Sequence, residues 1–218
     1  MFTGIVAAVG RIIAFEPLSA ANAASAVDVA DVSDTGAGIR LRIDAGALDL
    51  NDVALGDSIA IQGACMTVVA LAPAEFSVDV SRESLNRTAG LERLGEVNLE
   101  KAMRLSDRIG GHLVSGHVDG IGSVRRFQAV GESWLLVVHA QQQLARFLAY
   151  KGSITVNGVS LTVNEVHDER DGCEFSINLI PHTIEVTTLR HLAVGDRVNL
   201  EVDLIARYVE RMLKADRQ

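Results

Sequence analysis

Two cysteines in 218 residues are too few and too irregularly placed for a disulfide framework. Cys65 and Cys173 fall at non-equivalent places in a chain that is otherwise repeated, so free thiols in a reducing cytoplasm are expected. Positive charge is also short. Twenty Lys and Arg face 28 Asp and Glu, a net charge of −8, which disfavours a protein that tracks nucleic-acid phosphates. No apolar run approaches the ~20 residues needed to cross a bilayer, so no membrane partner is expected. The opening Met1-Phe2-Thr3-Gly4 carries no basic stretch, and no secretory signal is expected there. What remains is globular: 48% hydrophobic and 22% charged, with length for one large domain or two modest ones.

The chain starts again at its middle. Thr3-Gly4-Ile5-Val6 with Gly10 returns as Ser115-Gly116-His117-Val118 with Gly122, an offset of 112. Ser58 to Val68 returns as Ser153 to Val163, an offset of 95. Glu75-Phe76-Ser77-Val78 and Val97-Asn98-Leu99-Glu100 return as Glu174-Phe175-Ser176-Ile177 and Val198-Asn199-Leu200-Glu201. Matched blocks in one order, with a period near 100, mean two whole domains of one fold rather than solenoid units. The offset falls from 112 to 95, so the first copy holds 17 extra residues, placed in the Ala/Asp/Gly-rich stretch Leu18 to Gly38. A solvent-facing excursion is expected there.

Within each copy the period is that of strands. Ile39-Arg40-Leu41-Arg42-Ile43 and Phe76-Ser77-Val78-Asp79-Val80 alternate strictly. Residues 2–15, Ser58 to Ile61, Thr67 to Leu71 and Val97 to Leu99 complete the first copy. The second repeats it at Gly120 to Val124, Trp134 to His139, Ile154 to Val156, Leu161 to Val166, Phe175 to Leu179 and Val198 to Val202. Short strands at regular spacing with Gly turns predict small closed barrels, since closure removes sheet edges. Ala45 to Leu55 and Gln142 to Tyr150 are expected to plug barrel ends. From Leu204, apolar residues at 204, 205, 208, 209, 212 and 213 have helical spacing, and their stripe must be buried on its own domain or on other subunits. The expected architecture is all-β: two tandem homologous six-stranded antiparallel Greek-key barrels, residues 1–100 and 101–203, and a C-terminal helix, 204–218, for oligomerisation.

Chemistry is sought where the copies differ. Ser58 matches Ser153 and Thr67 matches Thr162, but Cys65 faces Ser160 and Ile5 faces His117. A thiol near an imidazole can serve as nucleophile and base. Spacing alone leaves the alternatives standing: a buried core Cys65, an ordinary His117, and barrel polar positions for the Ser and Thr pairs. A metal held by His112 and His117 is not expected, because five positions apart on a strand they lie on opposite faces. Gly110-Gly111 lacks the rest of a dinucleotide or phosphate-loop pattern.

Taken jointly, Met1-Phe2-Thr3-Gly4-Ile5-Val6, Gly110-Gly111-His112-Leu113-Val114-Ser115-Gly116-His117-Val118, Gly158-Val159-Ser160-Leu161-Thr162-Val163 and Leu179-Ile180-Pro181-His182-Thr183 resemble the riboflavin synthases of the alpha-chain type, over nearly the whole chain. The resemblance implies the last step of riboflavin biosynthesis. One 6,7-dimethyl-8-ribityllumazine gives a four-carbon unit to another, yielding riboflavin and 5-amino-6-(ribitylamino)uracil, with no cofactor and no metal. It implies a homotrimer formed through the final helix, active sites between the first barrel of one subunit and the second of its neighbour, and leaves lumazine synthase open as a further partner. It puts one lumazine at Gly4, Ile5, Val6, Cys65, Met66, Thr67, Asp79, Val80, Ser81, Arg82, Glu83 and Ser84. The other would lie at Gly116, His117, Val118, Lys151, Ser160, Leu161, Thr162, Asn178, Leu179, Ile180, Pro181, His182 and Thr183. Catalytic roles fall on Phe2, Ser58, Cys65, His117, Thr162 and Asp203. His117 would deprotonate the 7-methyl group, Cys65 or Ser58 would assist addition to the partner lumazine, and Phe2 would close over a ring. The sequence departs from the family at Gln62, where Asn is more common, at Thr88-Ala89 in place of a Thr pair, and in the 17 extra residues. The rival reading is an optical antenna protein of the same fold that binds lumazine or flavin without turnover.

Overall fold

Alternation is read out directly in a computed structural model that describes residues 1–18 and 38–215. The first unit is a closed antiparallel barrel of β1 (Ala8–Pro17), β2 (Ile39–Asp44), β3 (Ser58–Ile61), β4 (Ala64–Leu71), β5 (Glu75–Val80) and β6 (Gly95–Lys101), in the order β1-β2-β5-β4-β3-β6. Ile39, Leu41 and Ile43 of β2 point inward to meet Ile12, Phe15, Ile59, Ile61, Val68, Phe76, Val78, Val97 and Leu99, while Arg40 and Arg42 stay outside. Short α1 (Arg82–Arg87) follows β5, N-capped by Ser81, whose Oγ accepts from Ser84 N–H at 3.0 Å.

The second unit contains β7 (Gly120–Val130), β8 (Ser133–Gln141), α2 (Gln142–Ala145), β9 (Ser153–Val156), β10 (Val159–Thr162), β11 (Glu165–Glu169), β12 (Gly172–Leu179), α3 (Pro181–Val186), a 3-10 turn (Thr188–His191) and β13 (Arg197–Val202). Its sheet runs β10-β9-β13-β7-β8-β12-β11. Seven strands replace the expected six because the counterpart of β4 is broken between Thr162 and Glu165. In β4 the same place is a bulge, between Val68 and Ala70. One extra residue bends a strand, and here the bend is sharp enough to split it. Leu48 plugs the first barrel and Leu144 and Ala145 the second, as their segments predict.

The registers locate the insertion. Pro17 pairs with Ile39 in the first copy and Ala129 with Trp134 in the second, so the 17 extra residues lie between β1 and β2. The excursion itself falls outside the described residues, and Leu18 N–H donating to the Gly38 carbonyl at 2.9 Å closes its base.

The barrels join back to back through their β3–β4 and β9–β10 turns. Asn98 Nδ2 donates to the Asn157 carbonyl and Asn199 Nδ2 to the Gln62 carbonyl, both at 2.9 Å. Gln62 Oε1 accepts from Asn98 N–H at 2.9 Å, as Asn157 Oδ1 does from Asn199 N–H at 2.8 Å. Gln62 therefore does the work of Asn at a left-handed φ of 51°, which an unbranched amide tolerates less well than Asn. The second departure, Ala89, still donates its N–H to Asn199 Oδ1 at 2.7 Å, matching Thr188 N–H to Asn98 Oδ1 at 2.8 Å.

The last helix, α4 (Leu204–Ala215), inverts the usual arrangement. Its polar face docks on its own barrel, with Arg207 on Asp119 at 2.7 Å and Arg146 on Glu210 at 3.4 Å. Ile205, Tyr208 and Met212 are 65%, 63% and 69% exposed.

Candidate active site

Each copy begins with a strap that crosses to the other barrel. Thr3 N–H and Oγ1–H donate to Glu100 at 2.7 Å and Gly4 N–H at 3.0 Å. In the second copy Ser115 N–H, Ser115 Oγ–H and Gly116 N–H make the same three bonds to Glu201, at 2.7, 2.6 and 2.9 Å. Burial raises both carboxyls above the usual glutamate range, and the three donors pull the other way.

Hooked this way, the first strap lies on the second barrel. Ser160 N–H donates to the Gly4 carbonyl at 2.7 Å, and Val6 packs on the second core. The second strap lies on the first barrel, where Cys65 N–H donates to the Gly116 carbonyl at 2.8 Å and Val118 packs on the first core. Gly4 and Gly116 have φ of 74° and 79°, and a Cβ on either would come within 2.6–2.7 Å of Ser160 or Cys65 Cβ. Only glycine meets both demands.

The structure therefore regroups the expected residues into two cradles. One joins Cys65, Met66 and Thr67 of β4 to Gly116, His117 and Val118. Val68 pairs with Val78, so Asp79 and Val80 of β5 run on alongside, followed by Ser81 and the start of α1 at Arg82 to Ser84. The other joins Ser160, Leu161 and Thr162 of β10 to Gly4, Ile5 and Val6, with Lys151 and Asn178 to Thr183 on the flank. Gly4 to Val6 thus belong with Ser160 rather than Cys65, and Gly116 to Val118 with Cys65 rather than Ser160. Met66, Val80 and Leu179 point into the barrel cores, so they offer a ligand backbone only.

The catalytic candidates divide likewise. Phe2 is fully buried in a small cluster with Ala60 and Val114, against Cys65 and Ala102, and bridges to Val114 by paired backbone bonds of 2.7 and 3.0 Å. It is a wedge under the thiol rather than a free lid. His117 is exposed beside the same thiol's strap. Ser58 pairs with Thr67 across β3 and β4 and borders a cleft of about 550 Å³ lined also by Asp57, Glu100 and Lys101. Thr162 pairs with Ser153 in the equivalent place. Asp203 caps α4, accepting Ile205 N–H at 2.8 Å.

Two features escaped the sequence reading, as did the backbone of the expected Lys151. His112 Nδ1 lies 2.7 Å from Ser160 Oγ, so the second cradle presents a hydroxyl–imidazole pair where the first presents a thiol. Burial pulls the His112 pKa below its ordinary value and so favours the neutral ring, while the Asp203 charge pulls the other way. Glu100 and Glu201 were legible only as the last residues of a repeated block, a charge retained at the same place in two buried strands. Lys151 occupies the position of Gly56 yet sits at φ 62°, with Nζ on Asn164 Oδ1 at 3.0 Å and 5.2 Å above the Tyr150 ring. That backbone is costly for a residue with a Cβ.

The lumazine binding domain family matches this chain twice, over residues 3–102 and 115–203. The riboflavin synthase of Photobacterium phosphoreum is 42% identical over 100% of this chain and 91% of its own length. That of Mycobacterium tuberculosis is 44% identical over 99% of both. The chain belongs to the riboflavin synthase family. The cradle strands and Gly4 to Val6 and Gly116 to Val118 lie within the matched repeats, while Phe2 and His112 fall just outside them. Among solved structures, LumP in complex with 6,7-dimethyl-8-(1'-D-ribityl) lumazine and with riboflavin superimpose with TM-scores of 0.70 and 0.72, at 22% and 23% identity, over 93% of this chain and 99% of theirs. They share its fold. No helix among the described residues is long and apolar enough to cross a membrane.

Proposed function

We propose that this protein is a riboflavin synthase that converts two molecules of 6,7-dimethyl-8-ribityllumazine into riboflavin and 5-amino-6-(ribitylamino)uracil. The observation that carries the reading is the pair of equivalent cradles with unlike chemistry, one offering a thiol and the other a hydroxyl held by a neutral imidazole. A dismutation needs that: identical substrates enter unlike sites, one as donor and one as acceptor of four carbons. Atoms balance without an oxidant, a reductant or net water.

The cradle at Cys65 and the cradle at Ser160 each hold one flat ring against strand backbone, with Lys151 and the Asp79 to Ser84 and Asn178 to Thr183 segments reaching the ribityl chain. His117 takes the proton from the 7-methyl group, and Cys65 assists addition at the acceptor ring, with Ser58, Thr162 and Asp203 at the margins. Holding two rings face to face removes most of the entropic barrier of a bimolecular step. The two cradles that meet belong to different subunits of a homotrimer. The open apolar face of α4 supports this, since a helix docked through its polar face leaves its stripe for neighbouring copies. Free Cys65 and Cys173 suit a cytoplasmic site of action. Association with lumazine synthase is an outcome for co-purification to decide.

Purified protein incubated with the lumazine alone is expected to form one riboflavin for every two lumazines consumed. Binding with unchanged lumazine fluorescence and no riboflavin would make it a chromophore carrier instead. Cys65→Ser should remain folded and lose about 100-fold in turnover, the lower end of what an acid–base group contributes.

A further inference from the structure

At the end of β12 remote from both cradles, three side chains of the second barrel converge. His139 of β8, Glu169 of β11 and Asp171 of the following turn bring an imidazole nitrogen and two carboxylate oxygens within 4.8 Å of one another. His139 Nε2 lies 3.7 Å from an oxygen of Glu169 and 3.7 Å from one of Asp171. Those gaps are too long for hydrogen bonds. They are close to the ~3.3 Å separation of ligands placed 2.0–2.2 Å from one tetrahedral ion.

The nitrogen is inaccessible to solvent and has no hydrogen-bond partner, on a side chain only 12% exposed. A buried polar atom in that state is costly unless something fills the gap it faces. The backbone holds the three in place. Gly172 pairs with Glu169 on one side and Gln141 on the other, and the Asp171 carbonyl accepts Gln142 N–H at 3.1 Å. A Cβ at Gly172 would stand 2.9 Å from Nε2, so glycine keeps the approach to the nitrogen open. Glu174, opposite His139 in the ladder, is turned toward Arg125 at 3.8 Å. Among the described residues the first barrel has no such set: Asp44 stands where His139 does, and its β4–β5 turn reads Ala72-Pro73-Ala74.

We propose that His139, Glu169 and Asp171 bind one divalent transition-metal ion, with a fourth position open to water. One imidazole and two carboxylates select Zn²⁺ or Co²⁺ over a soft ion such as Cu⁺. The ion clips the β11–β12 hairpin to β8. Leu179 lies seven residues along β12 from Gly172, roughly 23 Å at the strand rise, so the ion takes no part in the lumazine chemistry.

The test uses full-length, untagged protein freed of metal by EDTA and dialysis, without lumazine, so its outcome is independent of the activity. Titration with Co²⁺, followed by absorbance and calorimetry, is expected to give one ion per chain, displaced by Zn²⁺, and Zn²⁺ is expected to raise the unfolding midpoint. Glu169→Gln and Asp171→Asn, at exposed positions that tolerate change, should weaken binding at least about tenfold with an unaltered far-UV spectrum, and His139→Ala should abolish it. A flat titration of the parent protein, or parent-like binding by Glu169→Gln and Asp171→Asn, overturns the proposal.

Discussion

Lys151 sets the ligand role proposed for one residue against the cost of its backbone. The first copy uses Gly56 at φ 92° where the second forces a lysine to φ 62°. Lys151→Gly should therefore raise stability by about 1 kcal/mol in urea unfolding, since the left-handed penalty of a side chain is removed. The same change should weaken lumazine binding in a fluorescence titration. His112 makes a second case, with a sign set by its depressed pKa. The unfolded chain takes up the proton first, so stability should fall as pH drops from 6.5 toward the lower folded value, and His112→Gln should flatten that slope. Unfolding free energy measured along a pH series checks it.

The straps and α4 are elements whose own sequences do not say what they pack on. Each strap is short and polar at its hook, and its position is set by a carboxylate on the end of β6 or β13. The final helix carries an apolar stripe whose spacing is plain in the sequence, but its cover is not. Arg207 and Glu210 bind the opposite face to the barrel, and Ile205, Tyr208, Val209, Met212 and Leu213 are left open. Ending the chain at Asp203 should leave both barrels folded while light scattering reports a monomer. Turnover should then fall to background, because each cradle would lose its facing partner. A truncated chain that stays trimeric would remove α4 from that role.

Considered whole, the molecule is two barrels held by a symmetric ladder of amides. Asn98 spans the join by donating to the Asn157 carbonyl and accepting from Thr188 N–H. Asn98→Ala leaves both buried groups unpaired, at a cost of about 2–4 kcal/mol. That cost falls on the join rather than on either core. Calorimetry should accordingly show one thermal transition for the parent and two for the variant.

Most strand positions, the duplication, the site of the 17 extra residues and the all-β class were determined by the sequence alone. Their physical basis is local: a period of two in Ile39 to Ile43 states which side chains meet the core wherever the strand lies. Residues 3–7, however, expected to open the first strand, form the strap before β1 begins at Ala8. The break between β10 and β11 was not legible, since a bulge and a split differ only in backbone angle. Nor was the crossing of the straps. Gly4 meets Ser160, and Gly116 meets Cys65, across 156 and 51 residues. Because both copies carry the same strap and the same cradle strands, a strap could lie on its own barrel or the other with identical local wording. Only three-dimensional closure, through the hooks at Glu100 and Glu201, decides between them. That decision also places His112 on Ser160, and so makes the two cradles chemically unlike.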